Sequence, residues 1–138
     1  MKLFGHPLHP ALVHFPLGLL LSATAADLAW WIGLTGNVSV ATAMMAAGLA
    51  TGLVAMVAGF ADFAALEQRL VDPALRHMGT VCLAWIGYGV SLYLRRDLVM
   101  NAPSLVASVA SALLLLLGGW FGGQLVYRYG AGVQGDRN

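Results

Sequence analysis

The 138-residue chain is 59% hydrophobic and only 9% charged, with a net charge of +1 and a mean hydropathy of +0.79. A soluble domain carries about 25% charged residues, so this composition excludes an ordinary water-facing surface. The lack of a basic stripe excludes nucleic acid as a partner, and the single cysteine, Cys82, excludes an intrachain disulfide framework.

The opening MKLFGHPLHP has one Lys and no small-residue cleavage motif. The first apolar segment therefore reads as retained, not as a signal peptide. Four segments follow in chain order, from about Pro10 to Trp31, Val40 to Phe63, Leu75 to Leu94 and Ser104 to Tyr127. Each reaches the ~20 residues a helix needs to cross a bilayer core. Each is apolar on all faces, which favours helices over the alternating strands of a barrel. Gly33, Gly36 and Asn37 separate the first two, Asp72-Pro73 the next two, and Arg95, Arg96, Asp97, Asn101 and Pro103 the last two. The expected fold is all-α. It is an up-down-up-down four-helix transmembrane bundle over residues 1–130, with both termini on one side and a polar tail over 131–138. No internal repeat is evident, because the sequences around the histidines of the first and third helices do not match.

Lys2, Arg69, Arg76, Arg128 and Arg137 fall on the side of the termini, and Arg95 and Arg96 on the other. This excess places the termini in the cytoplasm. Trp30, Trp31 and Tyr93 suit an interfacial aromatic belt. Gly48 with Gly52, Gly118 with Gly122, and Gly119 with Gly123 form GxxxG pairs. Their plain reading is close helix packing. The sharper one is room for a flat cofactor ring or a homodimer contact.

All four histidines gather at one end. His6, His9 and His14 lie in GHPLHPALVHFP, and His77 opens the third segment. Ionisable groups rarely enter lipid without a duty, and neutral imidazole ligates haem iron, copper and zinc. His14 and His77, at matched depth on neighbouring helices, are the expected haem ligands. The bland alternative is an interfacial imidazole bonded to a backbone carbonyl or a lipid headgroup. His6 and His9 each bear on a proline and are expected ahead of the regular helix, capping the site, binding a second metal or serving the interface. His9 and His14 are five residues apart, about 140° around a helix, so they cannot share a face. No HExxH zinc motif is present. Asp62 could fix the tautomer of a ligating imidazole or pair with Arg69, Arg76 or Arg128. Arg128 could hold a haem propionate or act as a plain anchor. Asp27 lies toward the opposite end and reads as interfacial or helix-pairing. Cys82 reads as a small buried hydrophobe.

The runs GHPLHPALVHFPLGL, GFADFAAL, RHMG and GGQLVYRYGAGV together resemble a widespread bacterial membrane family catalogued as domain of unknown function 2231. The resemblance spans nearly the whole chain. It implies a four-helix domain of the bacterial inner membrane, in some proteins joined to Rieske or cytochrome c modules, and hence electron transfer. Carried over by position, His6, His9 and His14 match its opening motif, Asp62 its acidic position and His77 the histidine of its third helix.

The leading expectation is a small b-type cytochrome. It would bind one haem b between His14 and His77 and exchange electrons with a quinol or a redox partner protein. A copper, zinc or iron site built from His6, His9, His14 and His77 is the alternative, and a structural or assembly subunit is the third. No nucleophile triad, phosphate loop or carboxylate pair points to an enzyme. Four short helices without inverted repeats argue against transport.

Overall fold

The computed structural model describes residues 2–3, 6–34, 37–95 and 98–132, and of residues 2–8 the backbone alone. Lys2–Leu3 (β1) and His6–Pro7 (β2) form a short antiparallel pair. Everything else regular is helical. A short helix α1, Leu8–Leu12, runs into α2, His14–Trp31. They are followed by α3, Val38–Phe63, a 3-10 turn over Gln68–Leu70, α4, Val71–Leu94, and α5, Ala102–Tyr127.

Local chemistry sets these boundaries. Pro16 has no N–H and its ring crowds the carbonyl four residues earlier, which accounts for the interruption at Val13. Asn37 caps α3 by accepting the Val40 N–H at 3.2 Å. At α5, Asn101 accepts the Ser104 N–H at 2.9 Å while Ser104 accepts the Asn101 N–H at 3.3 Å, a reciprocal capping box. The third segment starts four residues earlier than expected, at Val71. Asp72-Pro73 both separates the two segments and opens α4, lying in its first turn, where proline's fixed φ is welcome.

Helices pair by residues whose order runs oppositely along the two partners. Leu20 and Pro16 of α2 pack on Gly48 and Gly52 of α3, and Val81 and Gly87 of α4 meet Gly118 and Ser111 of α5. Trp85 joins α4 to α3 by donating to the Leu49 carbonyl at 3.0 Å. The middle of the bundle is apolar, built on Leu20, Ala23, Met45, Leu49, Tyr88 and Ala112. Its outside is apolar as well: Phe15, Val57, Val106, Leu113 and Trp120 are all more than half exposed. The helices spanning His9–Trp31, Val38–Phe63 and Ala102–Tyr127 are long and apolar enough to cross a membrane. The fourth helix, α4, is less apolar, because Asp72, Arg76 and His77 occupy its first two turns. The expectation of four spans is thus met by three, with α4 completing the helical bundle.

One expectation needs correcting. Burial repeats between the two halves of the chain. Pro16, Leu20, Ala23 and Asp27 are buried 7, 11, 14 and 18 residues after His9. Ala84, Tyr88, Ser91 and Arg95 are buried at the same offsets after His77. Ala41, Met45 and Gly48 of α3 are buried, and so are Ser104, Ser108 and Ser111 of α5, each 63 residues later. The repeat lies in positions. Side-chain types differ almost everywhere, which is why letter comparison misses it.

Candidate functional site

At one end of the bundle two imidazoles face each other. They belong to His9 and His77. Their ring centroids are 6.4 Å apart and the planes are nearly perpendicular, at 77°. His9 Nδ1 lies 2.8 Å from the Ala55 carbonyl of α3. His77 Nδ1 lies 2.8 Å from the Gly118 carbonyl of α5. A carbonyl can only accept, so each Nδ1 carries the proton and donates it. That bond alone would satisfy an idle histidine. In a neutral ring it also leaves Nε2 unprotonated with a lone pair, the tautomer a ligating histidine adopts.

The glycines beside the rings explain the fit. A Cβ on Gly59 would stand 3.0 Å from His9 Cε1, and one on Gly122 would stand 3.1 Å from His77 Cε1. Inward glycines are filled by side chains of the same chain, which supports the packing reading. Gly119 and Gly123 face open space.

The pairing differs from the sequence expectation. His14 is exposed and makes no hydrogen bond or ring contact with the other histidines described; His9 stands opposite His77 in its place. The reason is rotational phase. With five residues between them only one of His9 and His14 can face inward, and the buried Asp27 fixes which. Eighteen residues is five full turns at 3.6 per turn, so Asp27 and His9 share a face. That signal was present in the sequence. The His6 side chain lies outside the described residues; of the other three histidines, His9 and His77 stand together and His14 is exposed. Among the described residues no three His, Cys, Asp or Glu side chains gather as a metal site. Asp62 is half-buried in the last turn of α3. Arg128 is exposed, its guanidinium 5.6 Å from the Tyr129 ring centre. Cys82 is half-buried, 4.0 Å from Met56 Sδ.

The opposite end holds a polar cluster that the sequence reading only half anticipated. Asp27 and Arg95 form a two-pronged ion pair at 2.8 and 2.7 Å, and both side chains are 0% exposed. Asp27 was expected to pair helices and does so. Arg95 was expected in the connecting loop; it is the C-cap of α4 and turns into the bundle. Its Nη2 also donates to Ser91 Oγ at 2.8 Å. Ser108 donates to Asp27 Oδ2 at 2.8 Å. With that proton committed, Ser108 can only accept from Thr24 at 3.0 Å. Thr24 in turn accepts from the Tyr88 hydroxyl at 2.9 Å. Among the described residues no buried side-chain polar atom lacks a partner.

The sequence model of a family described as predicted membrane protein (DUF2231) matches residues 5–135. No curated protein and no solved structure matches the chain.

Proposed function

The chain belongs to this predicted membrane protein family, and from that premise we propose that it is a membrane electron carrier whose redox group is held by His9 and His77. The observation behind this reading is the shared tautomer of two facing imidazoles. Each commits Nδ1 to a helix carbonyl and keeps Nε2 for a ligand.

Haem b is the group that suits this pair first. Nitrogen ligands stand about 2 Å from a bound metal, and with ring centres 6.4 Å apart His9 and His77 would be near enough to hold one between them. When bound, haem supplies a one-electron iron couple. His9 and His77 would hold it, and the Ala55 and Gly118 carbonyls would keep both rings oriented and basic. The apolar middle of the bundle would keep water from its inner edge. Electrons would come from a quinol or a partner protein at the membrane surface.

In this reading the bundle crosses the bacterial inner membrane four times, up-down-up-down, with both termini in the cytoplasm. The buried ion pair strengthens the orientation. Arg95 is neutralised inside the protein, so only Arg96 opposes Lys2, Arg69, Arg76, Arg128 and Arg137 in the charge count.

One observation favours a second reading. Both rings already rest on glycine backbones, so a single copper or zinc ion between them would need less helix separation than a macrocycle. An absorption spectrum of the detergent-solubilised protein, as isolated and after dithionite, decides between them. A reducible Soret band at one haem per chain supports the cytochrome. A colourless protein with stoichiometric copper or zinc by elemental analysis supports the ion. A protein that stays free of both, after expression with ample haem and metal, ends the ligand reading.

A further inference from the structure

We infer that Gly59 and Gly122 are the positioning residues of two equivalent imidazole seats, one built by each helical hairpin. The inference rests on the ligand reading for its purpose but not for its test.

Each seat has the same construction. The acceptor carbonyl belongs to residue i of a long helix, Ala55 or Gly118, and residue i+4 is glycine, Gly59 or Gly122. In an α-helix the N–H of residue i+4 already bonds to the carbonyl of residue i. The side chain at i+4 therefore stands beside that carbonyl and screens its second lone pair from a neighbouring helix. Glycine removes the screen. A Cβ on Gly59 would lie 3.0 Å from His9 Cε1 and 3.1 Å from Nδ1. A Cβ on Gly122 would lie 3.1 Å from both Cε1 and Nδ1 of His77. The contacted atoms are those next to and within the hydrogen bond. A ring pushed back there by a few tenths of an ångström lengthens and weakens the 2.8 Å bond that fixes its tautomer.

The two seats are equivalent as well as alike. Ala55 and Gly118 are 63 residues apart, and so are Gly59 and Gly122, the same offset that relates the buried positions of α3 and α5. His9 and His77 precede matching sets of buried positions on their own helices. Each hairpin therefore presents one imidazole in one tautomer, and the rings meet where the hairpins meet. Gly119 and Gly123, on the same helix as Gly122 but facing open space, show that GxxxG spacing alone does not make a seat.

The test uses the full-length protein, free of haem and metal, in detergent, with 15N-labelled histidine. NMR separates a protonated from an unprotonated ring nitrogen, and His9→Ala and His77→Ala assign the signals. The wild type is expected to show both His9 and His77 as Nδ1–H with unprotonated Nε2. Gly59→Ala should move the His9 Nδ1 and Nδ1–H signals toward those of a weaker hydrogen bond and leave His77 unchanged, Gly122→Ala should do the reverse, and Gly119→Ala should change neither. Either wild-type ring found as Nε2–H overturns the inference, even if no glycine variant folds. So does a folded Gly59→Ala or Gly122→Ala protein whose His9 and His77 ring signals both match the wild type. Because no ligand is present, these outcomes are independent of whether haem or metal ever binds. A protein with both seats intact that takes up neither refutes the ligand reading and leaves the seats standing.

Discussion

The two ends of this bundle bury polar side chains by opposite rules. At the Asp27–Arg95 end each buried polar side-chain atom of the described residues has a partner within the protein, and the charges cancel at 2.7–2.8 Å. At the histidine end each half-buried ring donates Nδ1 to a helix carbonyl, and no bond to Nε2 is found among the described residues. The ends are five helical turns apart, about 27 Å at 1.5 Å per residue, close to the ~30 Å of a bilayer core. They are also related by the internal repeat, since Asp27 and Arg95 occupy the same offset after their histidines. A closed cluster serves the fold; under the ligand reading proposed above, the other end is the one left for a ligand.

If that division holds, the largest loss of stability comes from the closed end. Asp27→Ala strands a guanidinium, and Arg95→Ala strands a carboxylate, each with no water to receive it. Breaking one side of a buried ion pair costs about 3–5 kcal/mol. Thermal unfolding in detergent should show that loss for either variant, with whatever ligand the histidines hold still bound while the protein stays folded. The positional repeat adds a sharper check. Because the two residues sit at equivalent places, the exchange Asp27→Arg with Arg95→Asp should recover much of what either single alanine loses. An exchange no better than the single variants would show that the two positions are not interchangeable.

The next effect belongs to the open end and should separate stability from binding. His9→Ala and His77→Ala each remove one hydrogen bond to a helix carbonyl, worth about 0.5–1.5 kcal/mol. Neither strands a charge, and the carbonyl left behind keeps its helical N–H. The expected outcome is a small shift in melting with complete loss of the ligand's spectral signature or metal content. A collapse as severe as that of Asp27→Ala would place the histidines among the structural groups and remove the contrast between the ends.

Tyr88→Phe probes how far the closed end reaches toward the middle. Tyr88 is the outermost donor of the chain through Thr24 and Ser108 to Asp27. Its loss leaves Thr24 free to serve Ser108 with its own proton. About 1 kcal/mol is expected from unfolding curves. A loss near that of Asp27→Ala would mean that the hydroxyls are coupled to the ion pair more tightly than pairwise bonds imply.

Much of this was legible in the letters, because apolar runs of 20 or more residues separated by Gly, Asn and Pro leave little freedom in where helices start and stop. The gathering of histidines at one end followed from chain direction alone. Two things did not follow. Arg95 looked like loop because it adjoins Arg96 and Asp97 and ends an apolar run; only a partner on another helix draws it inward. The repeat was hidden because its halves exchange partners in kind, Asp27 against Arg95, Met45 against Ser108, Leu20 against Tyr88. A two-fold arrangement needs complementary residues where its halves touch, and complementarity erases identity. The choice between His9 and His14 was decidable in the letters: matched depth points to His14, but counting five turns back from Asp27 lands on His9.

His14→Ala is therefore the smallest expected effect and the most direct test of that reasoning. The ring is exposed, makes no hydrogen bond among the described residues, and lies on the face turned from Asp27. An exposed substitution away from such features shifts stability by no more than about 0.5 kcal/mol. Unfolding and ligand content should both match the wild type, while His9→Ala loses the ligand. Should His14→Ala lose the ligand and His9→Ala keep it, then depth in the membrane selects the ligating ring, and the pairing across the bundle axis is a packing contact only.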